Sequence, residues 1–244
     1  MTKRPLYKEV REQLTRSLIE GEWRPGAMLP SEPRLAERYH VGISTIRAAV
    51  RELELANVLV RAQGKGTFVT CFDEREGVHR FLNIVRDDGV AEAPHRRMLT
   101  FERIDAPTRI AEALHLPRNA GGGKVFKLTT LVSLAGKPIY HSNMFLPVNI
   151  FPRLKRTLLP DGDRSLYSLF QQQFNVNVTK VVDSITATPA PAIVAKLCEL
   201  RPGTPVLWLN RIAYTYNDVR VEVRQNWLNT AHHCYRIAQG DGGP

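Results

Sequence analysis

The chain has 244 residues, with 34 Lys and Arg against 24 Asp and Glu and a formal net charge of +10. That length holds two small domains or one large one. The basic balance favours polyanionic partners but does not separate DNA from RNA or acidic lipid. No apolar run approaches the ~20 residues of a membrane span, and Met1-Thr2-Lys3-Arg4-Pro5 leads into a helix with no signal-peptide core. Three widely spaced cysteines, Cys71, Cys198 and Cys234, fit a reducing cytoplasm with no disulfide framework or metal cluster.

Taken in order, Leu6, Val10, Leu14 and Leu18 recur every four residues and predict an amphipathic helix over 5–20, stopped by Gly21. Trp23 reads as a core or loop anchor. Leu29-Pro30-Ser31-Glu32 opens a second helix. Ser31 is placed to accept a hydrogen bond from a first-turn N–H, and Glu32 suits the positive end of the helix dipole. Leu35 and Ala36 face inward, with Arg34, Glu37 and Arg38 outward. Val41-Gly42 makes a tight turn, and Gly42 caps a third helix from about Ile43 to Ala56. Ile46, Val50 and Leu53 form its buried stripe, while Ser44, Arg47 and Arg51 share a different face. Two short helices around a tight turn, the second with hydroxyl and Arg groups outward, read as a helix-turn-helix. An ordinary helix pair with a solvated basic face is the alternative. Val58-Leu59-Val60 and Thr67-Phe68-Val69-Thr70 then flank Gln63-Gly64-Lys65-Gly66, a small β-hairpin. A hairpin directly after a recognition helix is a wing, and its Arg61 and Lys65 can reach a minor groove or phosphates.

These pieces resemble the winged helix-turn-helix of GntR-type bacterial transcription factors. The likeness is carried by Pro5-Leu6-Tyr7, Leu29-Pro30-Ser31-Glu32, Leu35-Ala36, Val41, Thr45-Ile46-Arg47, Leu53 and Gly64-Lys65-Gly66-Thr67, over roughly residues 4–70. The resemblance implies that Ser44, Thr45, Arg47 and Gly64 sit at the DNA. With the outward cations, the candidate DNA set is Arg34, Ser44, Thr45, Arg47, Arg51, Arg61, Gly64 and Lys65. Two departures stand out. Gly42-Ile43 occupies the place of the family's usual Ser-Arg, and Ala62 replaces a second common Arg before the wing turn. A different operator, or weaker binding, is expected.

Residues 71–80 are mostly polar and read as a linker. Phe81-Leu82-Asn83-Ile84-Val85 suggests a short helix ending near Gly89, and 98–105 a strand. An approximate repeat follows. Ile110–Leu116 is echoed by Val194–Leu200, each a short helix before a Pro-containing loop and two long strands. The strand pairs are 125–132 with 138–146, turning at Ala135-Gly136-Lys137, and 206–214 with 219–228, turning at Tyr216-Asn217-Asp218. Gly121-Gly122-Gly123 reads as a flexible loop. Asp163 caps a helix over 164–174 that turns Leu166, Leu169 and Phe170 inward. Two helix-plus-hairpin units predict one mostly antiparallel sheet with helices on a face, so the fold class is α+β.

This second part, about residues 81–238 before a tail over 239–244, resembles the effector-binding UTRA domain of the HutC subfamily of GntR regulators. Ala111-x-x-Leu114-x-Leu116, Gly136-Lys137-Pro138, Phe145-Leu146-Pro147, Ser165-Leu166-Tyr167, Pro205-Val206-Leu207 and Val221-Glu222-Val223 carry the likeness. It implies a chorismate-lyase-like fold, a small-molecule pocket and a homodimer. Sugar-phosphate-sensing members place an Arg-x-Arg pair where this chain has Thr130 and Val132, and a Glu where it has Ser142. A phosphosugar effector therefore lacks its bidentate clamp. The candidate effector residues are Arg96, Arg97, Ser142, Ser165, Tyr167, Arg211 and Glu222. Arg211 either contacts a ligand carboxylate or pairs with Glu222 structurally. The adjacent pair His232-His233 reads as surface rather than as a metal site. No catalytic set, cofactor or metal is expected.

The expected function is an effector-controlled, sequence-specific transcriptional regulator in the cytoplasm, a repressor, bound as a homodimer to a palindromic operator in double-stranded DNA. A lyase-like enzyme using the C-terminal fold, or a non-specific nucleic-acid-binding protein, are the rival readings.

Overall fold

A computed structural model describes residues 5–71, 83–87, 94–117, 123–159, 161–162 and 164–237. The first elements are α1 (Leu6–Ile19), α2 (Glu32–Tyr39), α3 (Ile43–Leu55), β1 (Leu59–Ala62) and β2 (Gly66–Val69). Then come β3 (Ile84–Arg86), β4 (His95–Asp105), α4 (Thr108–Ala113), β5 (Lys124–Leu134), β6 (Lys137–Pro147) and α5 (Leu166–Phe174). The chain ends with β7 (Lys180–Pro189), α6 (Ala192–Leu197), β8 (Pro205–Tyr214), β9 (Arg220–Leu228) and β10 (His233–Tyr235). These form two compact units. One comprises Met1–Phe72, Tyr167–Lys180 and Tyr214–Val219, and the other the remaining residues.

In the first unit the predicted helical stripes meet. Val10, Leu14 and Leu18 of α1, Leu35 of α2 and Ile46, Val50 and Leu53 of α3 form one core with Trp23 and with Val58, Leu59 and Val69 of the wing. Gly21, at φ 79°, releases the chain from α1. Ser31 stands at the N-cap of α2 without a side-chain capping hydrogen bond, so the capping bond expected there does not form. Gly42 caps α3 as expected. The wing pairs Leu59 with Val69 through Ala62 with Gly66. Gly64 and Gly66 both take positive φ at the turn, 72° and 127°.

Two remote segments complete this core. The Tyr216 ring joins the apolar cluster just described. Asn177 donates to the Tyr216 hydroxyl at 3.2 Å, and Gln171 donates to Asn177 Oδ1 at 3.1 Å and to the Thr70 carbonyl at 2.9 Å. Asn175 donates to the Ile19 carbonyl at 2.8 Å. Buried polar groups of this kind are costly when left unpaired. Tyr216→Phe keeps the ring but strands the Asn177 amide, so it should lower stability by about 1–3 kcal/mol in urea unfolding. A loss of a few tenths would show that water already satisfies that amide.

The second unit is a six-stranded sheet of order β4-β5-β6-β9-β8-β7. The β4-β5-β6 and β6-β9 neighbours are antiparallel. The order is symmetric about β6 and β9, which is the internal repeat in three dimensions: β4-α4-β5-β6 and β7-α6-β8-β9. Each short helix follows a Pro, Pro107 or Pro191. Each is left by a residue at positive φ, His115 at 53° or Glu199 at 55°. α4 covers Val125, Phe145 and Val223 with Ile110 and Leu114. α6 packs Val194, Ala195 and Cys198 on Leu131 and Val206. Residues alternate across a strand, so both helices cover one face and leave the other to the even-numbered residues of β5, β6 and β9.

Two expectations change. The helix expected from Phe81 to near Gly89 does not form over its described residues: Ile84–Arg86 form a strand paired with β10, as the β-branched Ile84 and Val85 favour. β7 was not anticipated at all. The capping role of Asp163, most of the linker (72–80) and Gly121-Gly122 lie outside the described residues. Among the described residues no helix is long and apolar enough to cross a membrane.

Candidate DNA interface and ligand site

On the three-helix unit, Arg34, Ser44, Arg47, Arg51, Arg61, Gly64 and Lys65 are exposed, and Thr45 is half-buried at the start of α3. Their spacing puts Ser44, Arg47 and Arg51 on the side of α3 opposite the buried Ile46, Ala49, Val50 and Leu53. Glu32 organises part of this surface. Its Oε2 accepts from Arg47 Nε and Nη2 at 3.2 and 3.0 Å, and its Oε1 accepts from Arg61 Nη2 at 3.0 Å. Glu54 lies 3.2 Å from Arg61 Nε. One carboxylate thus ties the reading helix to the wing. Sequence reasoning had given Glu32 only a helix-end role, because nothing along the chain shows which arginines fold back to it. A cleft of about 550 Å³ opens beside it, with Ser31, Glu32, Arg61, Gly64 and Lys65 on its walls. Farther from α3, Arg38 forms a two-point pair with Glu22 and lies 5.3 Å from the Trp23 ring centroid, fastening the loop after α1.

The other face of the sheet is largely buried and mixes polar with apolar side chains. Met98, Thr130, Ser142 and Asn226 stand in one row across β4, β5, β6 and β9. Arg96, Val132, Tyr140 and Leu228 form the row on one side, and Leu128, Met144 and Arg224 the row on the other. Glu222 follows on β9 and is fully buried. Of the proposed effector residues, Arg96, Ser142 and Glu222 share this face, and Arg211, in step with Leu209 on β8, lies on it too. Arg96 donates to the Arg164 carbonyl at 2.7 Å, beside the buried Ser165. Gly162 exchanges two 2.8 Å backbone bonds with Arg96 and fixes that loop on the strand. Arg97, one residue along, is exposed and points to the other side of the sheet. Tyr167 is buried in α5, its ring 5.8 Å from that of Phe170.

The suggested Arg211–Glu222 pair is corrected. Glu222 accepts both Nε and Nη2 of Arg224, at 2.8 and 2.9 Å. Arg211 instead forms a two-point pair with Asp183, both bonds 2.7 Å, and its Nη2 also donates to the Tyr235 hydroxyl. Tyr235 in turn donates to Asp183 and accepts from Asn83. Two strand neighbours of opposite charge two residues apart meet on one face, and that favours Arg224 for Glu222. Arg224, Asn226, Asp183 and Tyr235 were all missed. The alternation Glu222, Arg224, Asn226 was the available signal. Asp183 had none while β7 went unassigned.

Electrostatics follow burial. Desolvation pulls the Arg96 guanidinium below its usual value, and nearby Arg224 adds to this while Asp161 and Glu222 oppose it. For Asp183, burial pushes the carboxyl up, but the Arg211 pair and the Tyr235 hydroxyl outweigh it and hold it below the ordinary carboxylate range. A depressed folded-state pKa stabilises the fold above the unfolded value, roughly pH 4, and that contribution is lost as pH falls through the folded value. Asp183→Asn should therefore lower stability at pH 7 and flatten its decline below about pH 4. Parallel acid titrations of the two proteins would refute this assignment.

Residues 6–69 match the model of bacterial regulatory proteins of the gntR family, and residues 91–233 match the UTRA domain. The chain belongs to the GntR family. This GntR chain is 32% identical over 225 residues to the probable fructoselysine utilization operon transcriptional repressor of Escherichia coli O157:H7, covering 90% of this chain and 88% of that one. It is 24% identical over 222 residues to the transcriptional repressor NagR of Bacillus subtilis, covering 89% and 88%. The ligand-binding domain of a GntR-family regulator from Bordetella bronchiseptica superposes with a TM-score of 0.62 at 31% identity, covering 66% of this chain and 98% of that one. PhnF of Mycobacterium smegmatis matches 96% of this chain and all of its own at a TM-score of 0.56 and 24% identity, a likeness of fold. The α+β architecture is thus a GntR head followed by a UTRA sheet domain, and the chain is a DNA-binding transcriptional regulator under effector control.

Proposed function

We propose that this regulator is a cytoplasmic repressor that holds a palindromic operator as a homodimer and releases it when a small organic effector binds the sheet domain. The observation that carries the reading is the presence in one chain of an exposed Ser44-Arg47-Arg51 helix face and of a buried sheet face that carries Arg96, Ser142 and Glu222. In a two-fold dimer the two α3 helices enter successive major grooves, ~34 Å apart. Arg47 and Thr45 contact base edges or phosphates there, and Gly64 and Lys65 place the wing. Arg34, Arg51 and Arg61 add phosphate contacts. Arg96, Ser142, Ser165 and Glu222 receive the effector, and coupling of this kind is typically ~1–3 kcal/mol. Its relatives include proteins named for fructoselysine and for mannosyl-D-glycerate, which supports a role beside genes for sugar-derived compounds. The regulators among those relatives support regulation over catalysis for this fold.

Binding the purified chain to fragmented genomic DNA and sequencing what is retained tests the reading. An inverted repeat beside a catabolic operon, released by that operon's substrate, supports it. Retention with no shared motif would replace it with non-specific nucleic-acid binding.

A further inference from the structure

The six-stranded sheet ends on β4 at one edge and on β7 at the other, and the two edges are built differently. A bare edge strand offers a row of unpaired N–H and C=O groups to another chain, so proteins blunt edges with bulges, charges or covering loops. β4 carries all three. Its register slips between Met98 and Thr100. The Gly162 and Arg96 backbones exchange two 2.8 Å bonds, and Asp161 Oδ1 accepts the Met98 N–H at 2.8 Å. Arg96, Arg97, Glu102, Arg103 and Asp105 line the strand with charge.

β7 has neither the cover nor the charges. Among the described residues its strand neighbour is β8 alone. From Val181 to Thr188 it reads Val-Val-Asp-Ser-Ile-Thr-Ala-Thr, rich in strand formers and without Pro, Lys or Arg. Its one charge, Asp183, is matched by Arg211 within the sheet. Val182 and Ile185 are 45% and 38% exposed, and Ile193 of the following α6 is exposed as well. Ten residues of extended backbone span ~33 Å. Two such strands paired along that length form about ten main-chain hydrogen bonds, the number a standard interface carries.

A second copy of the chain is the occupant these features fit. Each sheet has one open edge, so pairing β7 with β7 uses both and closes as a two-fold pair, whereas a second open edge would let copies add without end. A two-fold axis normal to the sheet at Ile185 keeps like faces together. It sets Ile185 opposite its own copy, Val182 opposite Thr188 and Asp183 opposite Ala187, so no like charges meet. An axis at Asp183 would face carboxylate with carboxylate.

We infer that β7 is the homodimer interface: two copies join edge to edge through antiparallel β7 strands centred on Ile185, in one continuous sheet with six strands from each copy. This rests on reading the regulator as a homodimer and names the surface that makes it one.

Sedimentation equilibrium of the full chain gives its mass, and two variants locate the contact. Ile185→Lys sets two ammonium groups face to face at the axis and should raise the dimer dissociation constant at least about tenfold, with its thermal melt as the folding control. Ile185→Cys should join two copies through a disulfide under mild oxidation, because directly opposite residues stand ~5 Å apart, within reach of that bond. Glu102→Cys on β4 and the wild-type chain should not crosslink. A dimer whose affinity Ile185→Lys leaves unchanged, or that fails to crosslink at Ile185, overturns β7 as the interface and leaves the homodimer standing. A wild-type chain that stays monomeric at concentrations that saturate its operator overturns both.

Discussion

Glu222→Ala should reduce the unfolding free energy by about 3–5 kcal/mol, the range for removing one member of a buried ion pair. Glu222 is 0% exposed and Arg224 15%, and two bonds of 2.8 and 2.9 Å join them. Truncation leaves the Arg224 guanidinium desolvated without its matched carboxylate, on a face that also holds Arg96 and Arg211. The loss comes from removing the carboxylate matched to a largely buried guanidinium rather than from the worth of the pair, so Glu222→Leu with Arg224→Met should recover most of it. Urea unfolding of the two single variants and the double variant completes the cycle. A single-variant loss below about 1 kcal/mol would mean that solvent screens the pair as it does on a surface. Any change in effector response of Glu222→Ala has to be read beside this instability.

Arg47→Ala should weaken operator binding by about 1–3 kcal/mol, roughly five- to 150-fold, and relax selectivity at the base pair it faces. Its partner gives a sharper test. Glu32 holds Arg47 and Arg61 at once, so Glu32→Ala frees two long side chains that would otherwise arrive ordered. Operator affinity should fall by less than in Arg47→Ala, and discrimination between operator and random DNA should fall with it. Uniformly tighter binding to every sequence would reverse the interpretation: Glu32 would then be withholding the two cations from phosphate. Titrations at several salt concentrations separate these outcomes, since the slope counts phosphate contacts.

Much of this architecture was legible along the chain. Four-residue spacing of Leu6, Val10, Leu14 and Leu18 placed α1, and Gly42 between two apolar stripes placed the turn before α3. The helix repeat at Ile110 and Val194 anticipated the symmetric sheet. β7 escaped because its Val182 and Ile185 remain largely exposed at the sheet edge, so no buried stripe betrayed it. By repeat symmetry with β4 it was nonetheless due before Pro191. In the site, the missed groups are those whose partners lie far away in sequence. Asp183 reaches Arg211 and Glu32 reaches Arg47 and Arg61 only after folding. Arg224 differs, since period-two alternation with Glu222 was readable but gave no hint of burial.

The Tyr216 ring has a consequence for protein engineering. Winged heads are natural candidates for grafting between regulators, and residues 6–69 look like a self-contained cassette to cut out. In this chain such a graft would leave behind Tyr216, which fills the head's own core, and Gln171 and Asn175, whose amides hold the Thr70 and Ile19 carbonyls. A hybrid made at residue 70 therefore inherits a hole and stranded acceptors. One that also transplants 167–180 and 214–219 keeps the packing, so exchange of DNA specificity is better made by changing the outward face of α3 than by swapping the head.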